Sequence, residues 1–353
     1  MQAIPRVPVR VSRPFEENLL MTFEHDAFDP EALVPGYHEP VLPEGEPDAA
    51  TIAASETRTR HWSSGSQGRI RYGSDEHKQM MCRMFEETFN PYRPSVLKWP
   101  TLDEASLHRI TSLPIWDIAV QTEGKARLRM AAYARTIVDP VMRNALAQNA
   151  WEENRHKEVL SKMVQHYGIS LVAEPPYEYP KDPEWAYLVT GYSECIDSFF
   201  AFGLFKVAHD SGLFPPELID TFEPVMQEEC RHILLFANWV AWHRRNLNLF
   251  QRIAFEWKVL RVWWFLGMER MDLAKSLDGD GNEHAQDNNF TVTGAQSVTE
   301  KELSVAELMA TCLSENDRRF AGYDPRLLRP TTMPFLVKCA LPVLNFFERR
   351  KRK

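Results

Sequence analysis

From Ser74 onward apolar residues recur at intervals of three and four, and two strong stop-and-restart signals interrupt that period. The first is "VDP", in which Asp139 offers a cap and Pro140 a first-turn proline. The second is "DSGLFPPE", where Gly212 can end a helix and Pro215 can restart one. Together they predict two helical hairpins, roughly 115–138 with 140–167 and 184–210 with 215–246, joined by "YGISLVAEPPYEYPKDPEW". Two more helical stretches follow, at about 250–277 and 299–318. Sustained strand alternation is missing, so the expected fold is all-α around a four-helix core.

Three segments are expected: a loop-rich, proline-rich N-terminal wrap over 1–74, a helical domain over 75–320, and a C-terminal helix with a basic tail over 321–353. The stretch "DGDGNEHAQDNNFTVTG" lacks the spacing and closing glutamate of a calcium loop, so its "DGDGNE" reads as a turn. Glycine-rich phosphate loops are absent too. A net charge of −8 argues against binding nucleic-acid backbones, which demands a basic face. Cys82, Cys195, Cys230, Cys312 and Cys339 form no CxxC pair and are odd in number, so neither a zinc knuckle nor a disulfide framework is signalled and a reducing cytoplasm is the default expectation. "MQAIPRVPVRVSRPFEENLL" has prolines and charges where a signal peptide needs an apolar run. "MPFLVKCALPVLNFF" is interrupted by Lys338 and Pro342 and followed by "ERRKRK". A packed helix with a solvated tail is preferred there over contact with an anionic membrane surface.

The chemistry lies in "NAWEENRHKEVL", residues 149–160, and in "QEECRHILLF", its echo 76 residues later. In each, a glutamate precedes a histidine by three, Glu153 before His156 and Glu229 before His232, which puts both side chains on one helix face. Spacing alone proves little. Two of eleven histidines have such an acid upstream, about what 49 acids among 353 residues give by chance. The repeat of Glu-Glu-x-Arg-His on the second helix of each hairpin is more specific.

Antiparallel helices bring level those residues that are equidistant from their turn. Reflecting Glu153 through a turn centred near 138 lands on Glu123, and reflecting Glu229 through Ser211 and Gly212 lands on Glu194. Glu194 has apolar neighbours in "VTGYSECIDSFF", and an unpaired carboxylate buried there costs several kcal/mol that a divalent cation offsets. Asp197 and Asp117 reflect less well and rank lower as ligands; His243, eleven residues beyond His232, reads as a satisfied core or rim histidine. Arg155 and Arg231 are expected to pair with carboxylates around the site. Trp239, Trp242, Trp257, Trp263 and Trp264 read as packing residues.

One glutamate from each of two helices and Glu-x-x-His from each of two others is the ligand set of ferritin-like di-iron bundles. Over roughly 115–246 the chain therefore resembles the ferritin-like di-iron carboxylate superfamily, and "EENRH" in particular looks like the motif of acyl-carrier-protein desaturases. The order of ligands also resembles that of arylamine N-oxygenases. The resemblance implies two iron ions, one held mainly by Glu123, Glu153 and His156, the other mainly by Glu194, Glu229 and His232. It also implies that Glu152 and Glu228 orient the histidine of the opposite hairpin.

The activity so implied is O2-dependent hydroxylation, desaturation or N-oxygenation of a small or carrier-bound organic substrate. No flavin or nicotinamide fold is visible, so electrons are expected from an external donor such as ferredoxin. The competing readings are a ferroxidase or metal-storage protein and a metal-free helical bundle. A radical-generating reductase subunit is disfavoured, because Leu160 stands where that family carries a tyrosine. Metal identity and assembly stay open, a homodimer included.

Overall fold

The computed structural model describes residues 22–23, 28–212, 214–278 and 304–351. They are mostly helical, with one two-residue antiparallel ladder between β1 (Thr22–Phe23) and β2 (Tyr177–Glu178). The first hairpin is α5 (Trp116–Thr136) and α6 (Pro140–His166), and the expected cap is present, with Asp139 accepting from the Met142 amide beside Pro140. The second begins with α7 (Pro183–Ser211), which ends on Gly212 at φ 69°, a left-handed conformation that glycine adopts without a Cβ clash.

The second arm of that hairpin departs from expectation. In place of one helix over 215–246 there are two, α8 (Pro216–Thr221) and α9 (Glu223–Asn246), divided at Phe222. Pro224 is the cause: it has no amide hydrogen to donate to Asp220, and its ring crowds that carbonyl, so the helix restarts. α5, α6, α7 and α9 pack against one another, and the short α8 closes one end.

Among the described residues of the N-terminal segment two helices stand between loops. They are α1 (Pro30–Leu33) and α2 (Ala49–Arg60), the latter capped by Asp48. Periodicity missed α2 because only Ser55 and Thr59 of its twelve residues are buried, leaving no apolar stripe. Trp62 then pairs with Tyr323, and its indole donates to Glu87 at 2.8 Å. Next come α3 (Asp75–Glu87), started as expected by Ser74, which accepts from the His77 amide, and α4 (Glu104–Ser112).

After the second hairpin come α10 (Leu249–Asp278), α11 (Val305–Phe320) and α12 (Thr332–Lys351). α10, α11 and α12 all pack on α7. Gly203 of α7 makes the α11 contact possible, since a Cβ there would lie 2.4 Å from the Cys312 sulfur. Residues 279–303 and 1–21 lie outside the described residues, including the turn expected at "DGDGNE". Among the described residues no helix is long and apolar enough to cross a membrane.

Two expectations about packing need correction. Trp239 is fully buried, but Trp257 and Trp264 project from α10 into solvent. Likewise, α12 is not simply packed: Val337 is buried while Phe335, Phe346 and Phe347 are exposed.

Candidate metal centre

Two Glu-x-x-His pairs meet in the interior. Glu153, His156, Glu229 and His232 are all buried or nearly so and each offers a ligand atom within 4.8 Å of the others. His156 Nδ1 lies 3.2 Å from Glu229 Oε1, 3.7 Å from Glu153 Oε2 and 4.0 Å from Glu123 Oε2. His232 Nδ1 lies 2.8 Å from Glu153 Oε1. The rings stack with centroids 5.2 Å apart. Such a cluster could hold a metal ion.

Each imidazole is fixed from behind by the other hairpin. His156 Nε2 is 2.9 Å from Glu228 Oε2, and His232 Nε2 is 2.9 Å from Glu152 Oε2. These carboxylates accept the Nε2 proton and so turn each Nδ1 inward, toward the glutamates of the cluster. This crossed pattern explains why both acids are doubled.

Arg155 and Arg231 complete the exchange. Arg155 donates to Glu228 at 2.6 Å and to the carbonyls of Asn90 and Tyr92, while Arg231 donates to Glu152 at 2.7 Å, to Thr88 Oγ1 and to the Phe85 carbonyl. Both guanidinium groups are fully buried against aromatic rings, Arg155 over Tyr92 and Arg231 over Phe85. The end of α3 and the "NPYRP" loop after it are thus part of the support, a role sequence reading missed. Gln148, Asn149 and Ser198 were missed as well; they donate to Glu152, Glu153 and Glu229 respectively. Asn149 and Gln148 each stand four residues before their partner glutamate, a spacing that could have revealed them.

Glu194 lies on α7 and lines the same cavity as Glu123, Glu153 and Glu229, with both carboxyl oxygens buried and without a hydrogen-bond partner. Burial first, then the charges of Glu153 and Glu229, raise its pKa well above the ordinary carboxylate range. Glu123 is raised by burial and by Glu153 in the same way. Burial also acts to raise Glu153, but the charge of His232 and its hydrogen bond outweigh it and bring the pKa down to about 2. For His232 burial disfavours the charged ring, and Glu153 and Glu152 overcome that to push it up to about 9. Four carboxylates facing two imidazoles in a buried space repel one another, and a divalent cation relieves that repulsion.

The rival ligands are engaged elsewhere. Asp197 accepts from Arg270 at 2.8 Å and from Ser193, and Asp117 accepts from the Val172 amide at 2.6 Å. His243 sits on Trp239 with Nε2 3.1 Å from Glu184, the rim position expected of it.

Beside the glutamates is a cavity of about 220 Å³. Ile115, Trp116, Leu160, Leu204, Phe214 and Phe222 form its apolar end, between α5, α6, α7 and the α8 turn. Lys125 and Arg129 of α5 stand on its wall as well. The cavity therefore joins an apolar chamber to the carboxylate cluster.

No protein-family model, curated protein or solved structure matches this chain. Function has to be argued from the site.

Proposed function

We propose that the protein is a non-haem di-iron oxygenase with a ferritin-like four-helix core, acting with O2 on an apolar organic substrate. One observation carries the reading: buried glutamates, Glu194 among them with two unpartnered oxygens, form the wall of an apolar chamber. Carboxylate-rich sites with two imidazoles suit hard-to-intermediate divalent ions such as iron. Glu123, Glu153 and His156 would hold one ion, and Glu194, Glu229 and His232 the other. When bound, the ions would supply the two electrons that activate O2.

The chain's own share is orientation and exclusion. Glu152 and Glu228 keep the Nε2 protons and so present both Nδ1 atoms inward, where a bound ion would take the place of the Nδ1 proton. Arg231 and Arg155 pair with those two carboxylates at 2.7 and 2.6 Å and hold them in place. Ser198 fixes one oxygen of Glu229 at 3.2 Å. The apolar end shields the reacting atoms from bulk water and takes the substrate's hydrocarbon part. A chamber of this kind favours oxygenation over metal storage, which has no use for one.

The test is anaerobic loading with Fe(II), metal counting, and O2 uptake with an external reductant and with apolar substrates. Two irons per chain and substrate-stimulated uptake that stops without reductant are the expected results. Absence of bound metal, or growth of an iron mineral far beyond two per chain, refutes the reading.

A further inference from the structure

α12 is apolar almost all the way round, a pattern that demands cover on every side. Its inner side has that cover: Val337, with Met333 and Leu341, packs on Phe199 of α7 and Cys312 of α11. Its outer side does not. Phe335, Leu336, Val343, Phe346 and Phe347 are each at least half exposed. At about 100° per residue these positions share an arc of roughly 120° turned away from Val337. Single exposed leucines need no explanation, but a stripe with three phenylalanines along about three turns marks a surface that meets something apolar.

Charge identifies what it meets. In the last sixteen residues Lys338, Arg349, Arg350, Lys351, Arg352 and Lys353 face a single acid, Glu348, although the whole chain carries −8. The Arg350 guanidinium lies 4.9 Å from the centre of the Phe346 ring, so positive charge is held on the apolar stripe itself. A second copy docking here by two-fold symmetry brings the same positive excess to the same interface. A surface of anionic lipid brings the opposite charge together with an apolar boundary.

We infer that α12 is an interfacial helix that lies flat on an anionic bilayer, its phenylalanines at the acyl boundary and its terminal basic residues among the headgroups. The helix lies on the surface and does not cross it, in keeping with its internal lysine and proline and its basic end. The inference stands apart from the metal chemistry.

Vesicle co-sedimentation of the full chain tests it, with phosphatidylcholine alone and with about one part in three phosphatidylserine. At roughly 0.1 M salt the protein binds the anionic vesicles and not the neutral ones, and roughly 0.5 M salt weakens that binding. Phe346→Glu with Phe347→Glu abolishes it; these side chains are exposed, so metal content and helicity stay unchanged. Replacing Arg349, Arg350 and Lys351 together by Gln weakens binding on the order of 100-fold, about fivefold per charge. Absence of vesicle binding, or binding indifferent to the Phe346 and Phe347 changes, overturns the inference. So does a dimer that those changes dissociate, which makes a second copy the true occupant.

Discussion

Glu194→Leu separates a ligand from a structural acid, because the two roles predict opposite signs in the absence of metal. Both Glu194 oxygens are buried and unpartnered, and burial and neighbouring carboxylates raise its pKa. Leaving such a group unsatisfied costs about 1–3 kcal/mol, and leucine of similar volume removes that cost and adds apolar contact with the chamber. In chelator the variant should therefore be more stable than the parent by about 2 kcal/mol. With metal the order reverses. A cation that binds only the folded parent at about a hundred times its Kd stabilises it by about 2.7 kcal/mol, and the variant, lacking one ligand, forgoes much of this. The assay is urea denaturation of both proteins, with chelator and with anaerobic Fe(II). If the variant is less stable in chelator, Glu194 makes a stabilising interaction in the metal-free fold and the argument from its orphaned oxygens fails.

Three further outcomes follow from the same contacts. Arg231→Met leaves the fully buried Glu152 without its guanidinium, and urea denaturation should show a loss of about 3–5 kcal/mol; a loss below 1 kcal/mol would mean that Glu152 is protonated or hydrated. Gly191→Ala places a Cβ 2.3 Å from the Phe236 ring and should destabilise by about 1–3 kcal/mol, with Phe236→Leu restoring part of it in the double variant. Glu184 has its pKa lowered to about 2, chiefly by a hydrogen bond from His243 and further by Lys258. A lowered carboxylate pKa contributes stability above the ordinary value near 4.5, and that stability is lost as pH falls toward 2. Partial exposure limits it to about 1–2 kcal/mol. Glu184→Gln should accordingly flatten the acid limb of a denaturation profile between those pH values and leave a profile above pH 6 parallel to the parent's.

Local rules were enough for the two hairpins, because a cap, a first-turn proline and a left-handed glycine each act within one turn of chain. Apolar periodicity, by contrast, misled at three places. α2 buries almost nothing, so no periodicity marks it, and it forms on Asp48 capping and alanine-rich propensity. Pro224 sits inside a period that continues on both sides, so the apolar pattern runs through the break at Phe222 although the backbone does not. Burial of a given tryptophan depends on which side of its helix finds a neighbour: Trp263 packs on Tyr192, while Trp264, one residue on, points outward.

Reflection across a turn placed Glu123 level with Glu153, since antiparallel helices of equal rise keep level residues equidistant from their loop, and its Oε2 lies 4.0 Å from His156 Nδ1. The second hairpin meets that condition only loosely, since α8 interrupts it, yet Glu194 lines the same cavity as Glu153 of α6 and Glu229 of α9. What could not be read was the layer behind the ligands. Thr88, the Phe85 carbonyl, and the carbonyls of Asn90 and Tyr92 anchor the two arginines from α3 and its following loop, sixty or more residues away in sequence. Three of these four anchors are backbone carbonyls, which any residue supplies, so no side-chain pattern can announce them. The arginines could be anticipated and their anchors could not, and this asymmetry assigns a role to α3. It holds Arg155 and Arg231, these pair with Glu228 and Glu152, and the two carboxylates in turn set which nitrogen of each imidazole faces the centre.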